Sequence, residues 1–174
     1  NFTMIYRFRV ILDDQEDVFR DIEIKASATA EDFNNAIVQA FGFEGGEMAS
    51  FYISDEEWNQ GEEIALFDMS EGGDSVRIMA ETSLDDIITE HERKLIYVYD
   101  FFTMWTFLIE LAEIAEPQDN VSYPNLMFAH GELPDSPPDK VFEAEKEEND
   151  GDLDFTEFED LDDQAFDNYD DLWN

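Results

Sequence analysis

Two histidines, His91 and His130, are the side chains whose ordinary pKa suits proton transfer near neutral pH. Catalysis or metal ligation would need them close to each other and to an orienting partner. His91 falls in the charged run Glu90-His91-Glu92-Arg93-Lys94, which reads as a solvated turn before a strand. His130 falls in a stretch rich in proline. Carboxylates number 46 in 174 residues, so an acid–base pair could be drawn almost anywhere. Nothing in the spacing picks out two held across a cleft, as glycosidase-type chemistry requires. Asp100 stands apart, because it lies in an apolar hairpin between Tyr99 and Phe101. It reads first as a turn aspartate accepting backbone hydrogen bonds. The alternative is an enzymatic or small-ligand pocket lined by Tyr97, Tyr99, Asp100 and Trp105, with the carboxylate pKa raised by its apolar surroundings.

Other chemistries are excluded by composition or spacing. The chain has no cysteine, which removes disulfides, thiolate nucleophiles, zinc knuckles and iron–sulfur clusters. Serine nucleophile elbows, glycine-rich phosphate loops and dinucleotide fingerprints are absent. Gly45-Gly46 and Gly72-Gly73 are turn signals without the helix start a phosphate site requires. Residues 146–157 can be laid on a calcium-binding loop, with Gly151 at the sharp turn and Glu157 as the final ligand. Lys146 then occupies the first ligand position, where a carboxylate is needed, and an acidic segment produces such near-matches by chance. The expectation is therefore no catalytic residue, no metal and no cofactor.

Charge is the strongest compositional signal. The 46 acidic side chains face 9 basic ones, for a formal net charge of −37. Such a chain repels nucleic acid and anionic membrane surfaces and attracts basic proteins. No apolar run approaches the ~18 residues of a bilayer span, and the chain opens without a signal-peptide pattern. With the lack of cysteine, this points to a cytoplasmic, reducing compartment.

Charge and proline divide the chain into three parts. Residues 1–116 carry nearly all the convincing periodicity, with 27 acidic and 7 basic side chains. Residues 117–140 contain all five prolines and read as a linker or loosely docked strap. Residues 141–174 hold 15 acidic side chains against the single Lys146. There Phe155, Phe158, Leu161, Phe166, Tyr169, Leu172 and Trp173 are spaced among acids, a pattern in which charge keeps apolar groups solvated until a partner arrives. Three readings stay open for this tail. It is a solvated disordered segment, an amphipathic helix folding back on its own domain or a sister subunit, or a segment that docks on a basic, apolar-grooved protein or mimics nucleic-acid charge. In the docking reading the contact residues are Phe155, Phe158, Phe166, Tyr169 and Trp173.

The elements that must position these residues follow from periodicity. Residues 4–12 alternate, with Tyr6, Phe8, Val10 and Leu12 on one face and Arg7 and Arg9 on the other. Residues 18–25 alternate likewise, with Ile22 and Ile24 inward and Asp21, Glu23 and Lys25 outward, so the two strands predict a hairpin across the acidic turn 13–17. Thr29-Ala30-Glu31-Asp32 is a capping box; Phe33, Ile37 and Phe41 recur at helical spacing, and Gly42 closes the helix. Residues 49–54, 64–67 and 75–80 are short strand candidates, with a polar loop at 58–63. Ser83-Leu84-Asp85-Asp86 predicts a second, short helix, and residues 95–100 and 104–113 the most apolar hairpin. The layout is α+β: a mixed sheet with a β-grasp-like ββαβ opening, one long covering helix, a second short helix and a late β-hairpin.

Several of these pieces together resemble the family named after the third open reading frame of the root-inducing plasmid pRiA4b. They are Tyr6-Arg7-Phe8-Arg9-Val10, Val18-Phe19-Arg20-Asp21-Ile22-Glu23-Ile24, Ala40-Phe41-Gly42-Phe43, Ser50-Phe51-Tyr52-Ile53 and Ser83-Leu84-Asp85-Asp86-Ile87. The most distinctive is Leu95-Ile96-Tyr97-Val98-Tyr99-Asp100-Phe101 followed by Trp105. The resemblance covers residues 6–114 and implies an α+β domain of uncharacterised biochemistry. The chain also departs from the family pattern at four places. The family's Tyr-Asp-Phe-Gly-Asp-x-Trp-x-His stretch has Phe102, Thr103 and Phe107 here in place of the glycine, second aspartate and histidine. A histidine frequent after the helix is also missing, with Glu47, Met48 and Ala49 in that stretch. A polar site built from those residues in relatives would not carry over to this chain.

Overall fold

In β1 (Ile5–Leu12) the alternation becomes geometry: Tyr6, Phe8, Val10 and Leu12 turn to one face and are buried, while Arg7 and Arg9 project from the other. The computed structural model of the chain describes residues 3–69 and 76–138. β2 (Phe19–Lys25) returns antiparallel to β1 and adds Ile22 and Ile24 to the same apolar face. Cross-strand charge pairs fix the register on the opposite face. Arg9 makes a two-pronged contact with Asp21 at 2.8 and 2.9 Å, and Arg7 bridges Glu23 at 2.8 Å and Glu113 at 2.7 Å.

Helix α1 (Ala30–Phe41) starts where the sequence calls for it. The Thr29 hydroxyl accepts from the Asp32 N–H at 3.1 Å, and the Asp32 carboxylate accepts from the Thr29 N–H at 3.0 Å. The helix ends at Gly42, whose φ of 82° is the left-handed conformation that glycine adopts without Cβ strain. Its buried residues, Ala30, Phe33, Asn34, Ile37 and Phe41, recur at three- and four-residue steps and form one stripe against the sheet.

The remaining strands are β3 (Ala49–Ser54), β4 (Gln60–Ala65), β5 (Arg77–Ile78), β6 (Lys94–Tyr99), β7 (Trp105–Ala115) and β8 (Asn125–His130). They form one sheet of eight strands in the order β5-β4-β3-β6-β7-β1-β2-β8. The α+β class and mixed sheet are therefore as the periodicity predicts, with the β4–β5 pair parallel and the other pairs antiparallel. The β-grasp-like order differs from what is found. The strand after the helix, β3, lies three places from β1, because β6 and β7 fill the space between them. Their composition explains the placement: β6 is buried on both faces after Lys94, and such a strand is stable only inside a sheet.

Three further elements differ from expectation. Residues 60–63, read as loop, belong to β4, whose exposed first half carries too little apolar character to show periodicity. The short helix at 83–86 consists of 3-10 turns, Met79–Glu81 and Leu84–Asp86, and the Ser83 hydroxyl donates to the Asp85 carboxylate instead of capping the backbone. These turns clamp the start of α1, since Ala30 N–H donates to Thr82 and Leu84 N–H to Ala28. The proline-bearing stretch contributes β8 to the sheet edge, paired with β2. Its exit is tight: a Cβ on Gly131 would come within 2.6 Å of the Asp17 carbonyl, and its φ is +80°. Arg20 secures this corner, donating to the carbonyls of Phe19, Ala40, His130 and Gly131 with its guanidinium 4.6 Å from the Phe41 ring centre.

A run of aromatic contacts joins helix to sheet. Phe33 stacks on Phe8 at 4.5 Å and on Phe51 at 5.4 Å; Phe51 meets Tyr97 at 4.8 Å, and Phe107 meets Phe41 at 4.7 Å. Phe33 is fully buried between two strands that are not neighbours. Phe33→Ala should therefore lower stability by about 3–5 kcal/mol, the usual cost of emptying a buried phenylalanine site. Urea unfolding followed by circular dichroism checks this; a loss below about 1 kcal/mol would mean that the ring does not anchor the helix.

Candidate functional site

The four hairpin residues singled out by sequence lie at the top of β6 and the start of β7, the end of the sheet where Tyr99 pairs with Trp105. Tyr97 is fully buried, and its hydroxyl donates to the Asn34 side-chain oxygen of α1 at 2.5 Å. Tyr99 stacks on Phe43 at 4.3 Å, and its hydroxyl accepts from the Gly45 N–H at 3.0 Å. Trp105 meets the same Phe43 edge-on at 5.4 Å. Tyr99 and Trp105 thus fasten the loop that follows the helix, while Tyr97 fastens the helix itself.

Asp100 opens the turn between the two strands. Its φ of 68° and that of Met104, 66°, are both left-handed. Its N–H donates to the Met48 carbonyl at 2.7 Å; one carboxylate oxygen accepts from the Phe102 N–H at 3.1 Å and the other from the Thr103 hydroxyl at 2.8 Å. Its carbonyl accepts from Thr103 and Met104 N–H groups. Aspartate tolerates the left-handed region and bonds the backbone two residues on, which is the chemistry this turn needs. Phe101 and Phe102 at the tip point outward, 41% and 92% exposed.

Elsewhere, a cleft of about 400 Å³ runs beside the helix, lined by Lys25, Asp32, Asn35, Gln39, Tyr123 and Pro124 among others. Its volume is in the range of small-ligand sites. Asp32, Asn35 and Gln39 form one polar stripe, legible in their three- and four-residue spacing. Tyr123 was not legible as a neighbour, because only the pairing of β8 brings it there. The Asp32 carboxylate is engaged in the helix cap. The histidines sit at opposite ends of the sheet: His91 precedes β6 with its side chain 85% exposed, and His130 ends β8, stacked on Phe19 at 5.3 Å. Among the described residues no group of three or more His, Asp or Glu side chains is placed to hold a metal ion. No helix among them is long and apolar enough to cross a membrane. The tail residues Phe155, Phe158, Phe166, Tyr169 and Trp173, and the calcium-loop-like stretch, lie outside the described residues.

The sequence pattern of the family described as plasmid pRiA4b ORF-3-like protein matches residues 4–144, from β1 through β8 and beyond. The chain belongs to that family. The match runs past the helix, the late hairpin and the proline-bearing stretch, so the pRiA4b ORF-3-like unit includes the edge strand β8. No curated protein matches the chain. Among solved structures it is similar to a protein of unknown function, MM3350 from Methanosarcina mazei Go1, with a TM-score of 0.66 and 21% identity over 92% of this chain and 88% of that one. That likeness is one of fold. In this pRiA4b ORF-3-like chain Phe107 is fully buried in the core.

Burial raises the pKa of Tyr6, Tyr97 and Tyr99, and pushes Tyr52 up to about 12 with help from the nearby Glu63 charge. A raised folded-state pKa means stability that is complete below the ordinary value of 10.0 and lost as pH climbs through about 12. Alkaline unfolding should therefore steepen above pH 10, and Tyr52→Phe should flatten that loss, read as urea midpoints at successive pH values. Tyr97→Phe strands the buried Asn34 oxygen and should cost about 1–3 kcal/mol at neutral pH. An unchanged urea midpoint would show that the oxygen finds another donor.

Proposed function

We propose that this protein is a non-enzymatic interaction module whose acidic surface and acidic, aromatic-interspersed tail dock on a basic protein partner in the cytoplasm. The observation that carries this reading is how the folded part uses its cations. Seven of the nine basic side chains lie among the described residues, and most are engaged internally. Arg7 and Arg9 pair with sheet carboxylates, Arg20 and Arg93 donate to backbone carbonyls, Arg77 lies 3.7 Å from Glu62, and Lys94 sits 3.3 Å from Glu56 and over the Trp58 ring. Lys25 alone has no such contact among the described residues. The carboxylates left over dominate the field that an approaching protein meets, which steers basic partners and speeds their association.

Against the alternative of a small-ligand or enzymatic site at Tyr97, Tyr99, Asp100 and Trp105 stands the use of those groups. Both Asp100 oxygens accept hydrogen bonds from the turn, and the Tyr97 hydroxyl is spent on Asn34. A docking tail at 141–174 fits the same reading, beside a folded part that runs on past residue 116 through the proline-bearing stretch that supplies β8.

Affinity capture from cell lysate at low and high salt tests it. Full-length protein should retain specific basic proteins that salt releases, and alanine at Phe155, Phe158, Phe166, Tyr169 and Trp173 together should weaken that retention. Equal retention by the fivefold variant would remove the tail from the contact, and no specific retention at all would overturn the module reading.

A further inference from the structure

Seven large apolar side chains among the described residues are exposed, and four of them, Phe67, Met69, Phe101 and Phe102, sit at one end of the sheet. Backbone pairing puts them there. Leu66 N–H donates to the Ala49 carbonyl at 3.0 Å and Asp100 N–H to the Met48 carbonyl at 2.7 Å, so the exits of β4 and β6 flank the entry of β3. Asp13 N–H donates to the Thr106 carbonyl at 3.0 Å, which brings the β1–β2 turn to the same end. The β1–β2 turn contributes Asp14, Glu16 and Asp17, the loop after α1 contributes Glu44 and Glu47, and the exit of β8 contributes Glu132. None of these six carboxylates is in an ion pair among the described residues. Of the cations, Lys25, Arg93 and Lys94 lie at strand ends on the far side and Arg7 and Arg9 in mid-sheet pairs. The two at this end are already used: Arg77, paired with Ile64 beside the β4 exit, lies 3.7 Å from Glu62, and Arg20 is buried on its carbonyls near the Glu132 charge.

We infer that this end of the sheet is a docking surface for a lysine- or arginine-rich protein segment that carries apolar side chains. The inference rests on the reading above that the chain binds a basic partner, and it places that contact on the folded part. The aromatic tip supplies the apolar contact, and the carboxylates around it select the sign of the occupant. A second copy of this chain is disfavoured by like charge, since each copy carries −37. The tip is also held ready. Asp100 bonds the Phe102 N–H and the Thr103 hydroxyl, and a turn already fixed in shape loses little freedom on binding. Asp100 is a positioning residue here.

The test uses the full chain and two fluorescent synthetic peptides, one of leucines at helical spacing with lysines elsewhere, the other with each leucine replaced by serine. Titrations are made at elevated salt, where diffuse attraction between exposed charges is screened. The wild type should prefer the leucine peptide. Phe101→Ser with Phe102→Ser should cost about tenfold in affinity for it, the scale of an interface anchor, and leave the serine peptide unchanged. The variant should still fold, since Phe102 is 92% exposed. Serine at Phe155, Phe158, Phe166, Tyr169 and Trp173 should leave the leucine preference in place. If the tail variant loses that preference and the turn variant keeps it, the surface is wrong and the module reading stands. If the wild type binds neither peptide, both fall.

Discussion

The α-helix covers the apolar face of an eight-stranded sheet, and at the centre of its buried stripe Phe33 is wedged between Phe8 and Phe51. Those two rings stand on β1 and β3, strands that β6 and β7 keep apart, so the wedge holds only when the late hairpin has been inserted. The contacts Phe51–Tyr97 and Phe41–Phe107 close the arrangement from the hairpin side. The helix therefore fixes the hairpin and the hairpin fixes the helix. Their mutual dependence sets the position of everything at the end of the sheet, because the loop after α1 and the β6–β7 turn are held against each other by Tyr99, Trp105 and Phe43.

Electrostatics follow from the same geometry. A chain with so few cations has to place them where they relieve internal strain, and the pairs across β1, β2 and β7 do this where three strands bring Glu23, Asp21 and Glu113 together. Glu23 shows the need most clearly, being buried yet bonded by both Arg7 and Asn125. A buried carboxylate without such partners would be costly. With its cations used this way, the protein offers carboxylates to its surroundings, and the loops at the hairpin end collect them.

Local structure was legible in the sequence and long-range order was not. The strands at 5–12 and 19–25 and the capped helix announce themselves through alternation, the Thr29–Asp32 box and Gly42, because each depends on neighbours a few residues away. The position of β6 and β7 between β3 and β1 depends on pairing across dozens of residues, for which periodicity carries no signal. β8 was hidden for another reason: as an edge strand it pairs on one side, leaves Leu126, Met127 and Phe128 exposed, and follows a proline, so its pattern is that of a strap. The bulge between its pairings with Asp21 and Ile22 breaks the alternation further. At the hairpin, the turn role of Asp100 was readable from residue type alone, while the partners of Tyr97 and Tyr99 were not, since Asn34 and Gly45 come from another part of the chain.

The departures from the family pattern gain a physical meaning from these positions. A histidine at 107 would sit where Phe107 is fully buried among Phe41, Tyr97 and Phe43, and a polar ring there would need a partner to offset its burial. Phenylalanine removes that requirement and joins the run of rings that locks helix to hairpin. Four and five residues away, the replacements at 103 and 102 act in the opposite direction. Thr103 gives Asp100 a hydroxyl to bind, and Phe102, where the pattern has a residue with no side chain, sets an aromatic ring in solvent. An exposed phenylalanine lowers solubility and gives nothing to the core, so a turn this well fixed is an unfavourable place for one unless a partner covers it. The hairpin thus has a dry interior at Phe107 and an apolar, exposed tip at Phe101 and Phe102.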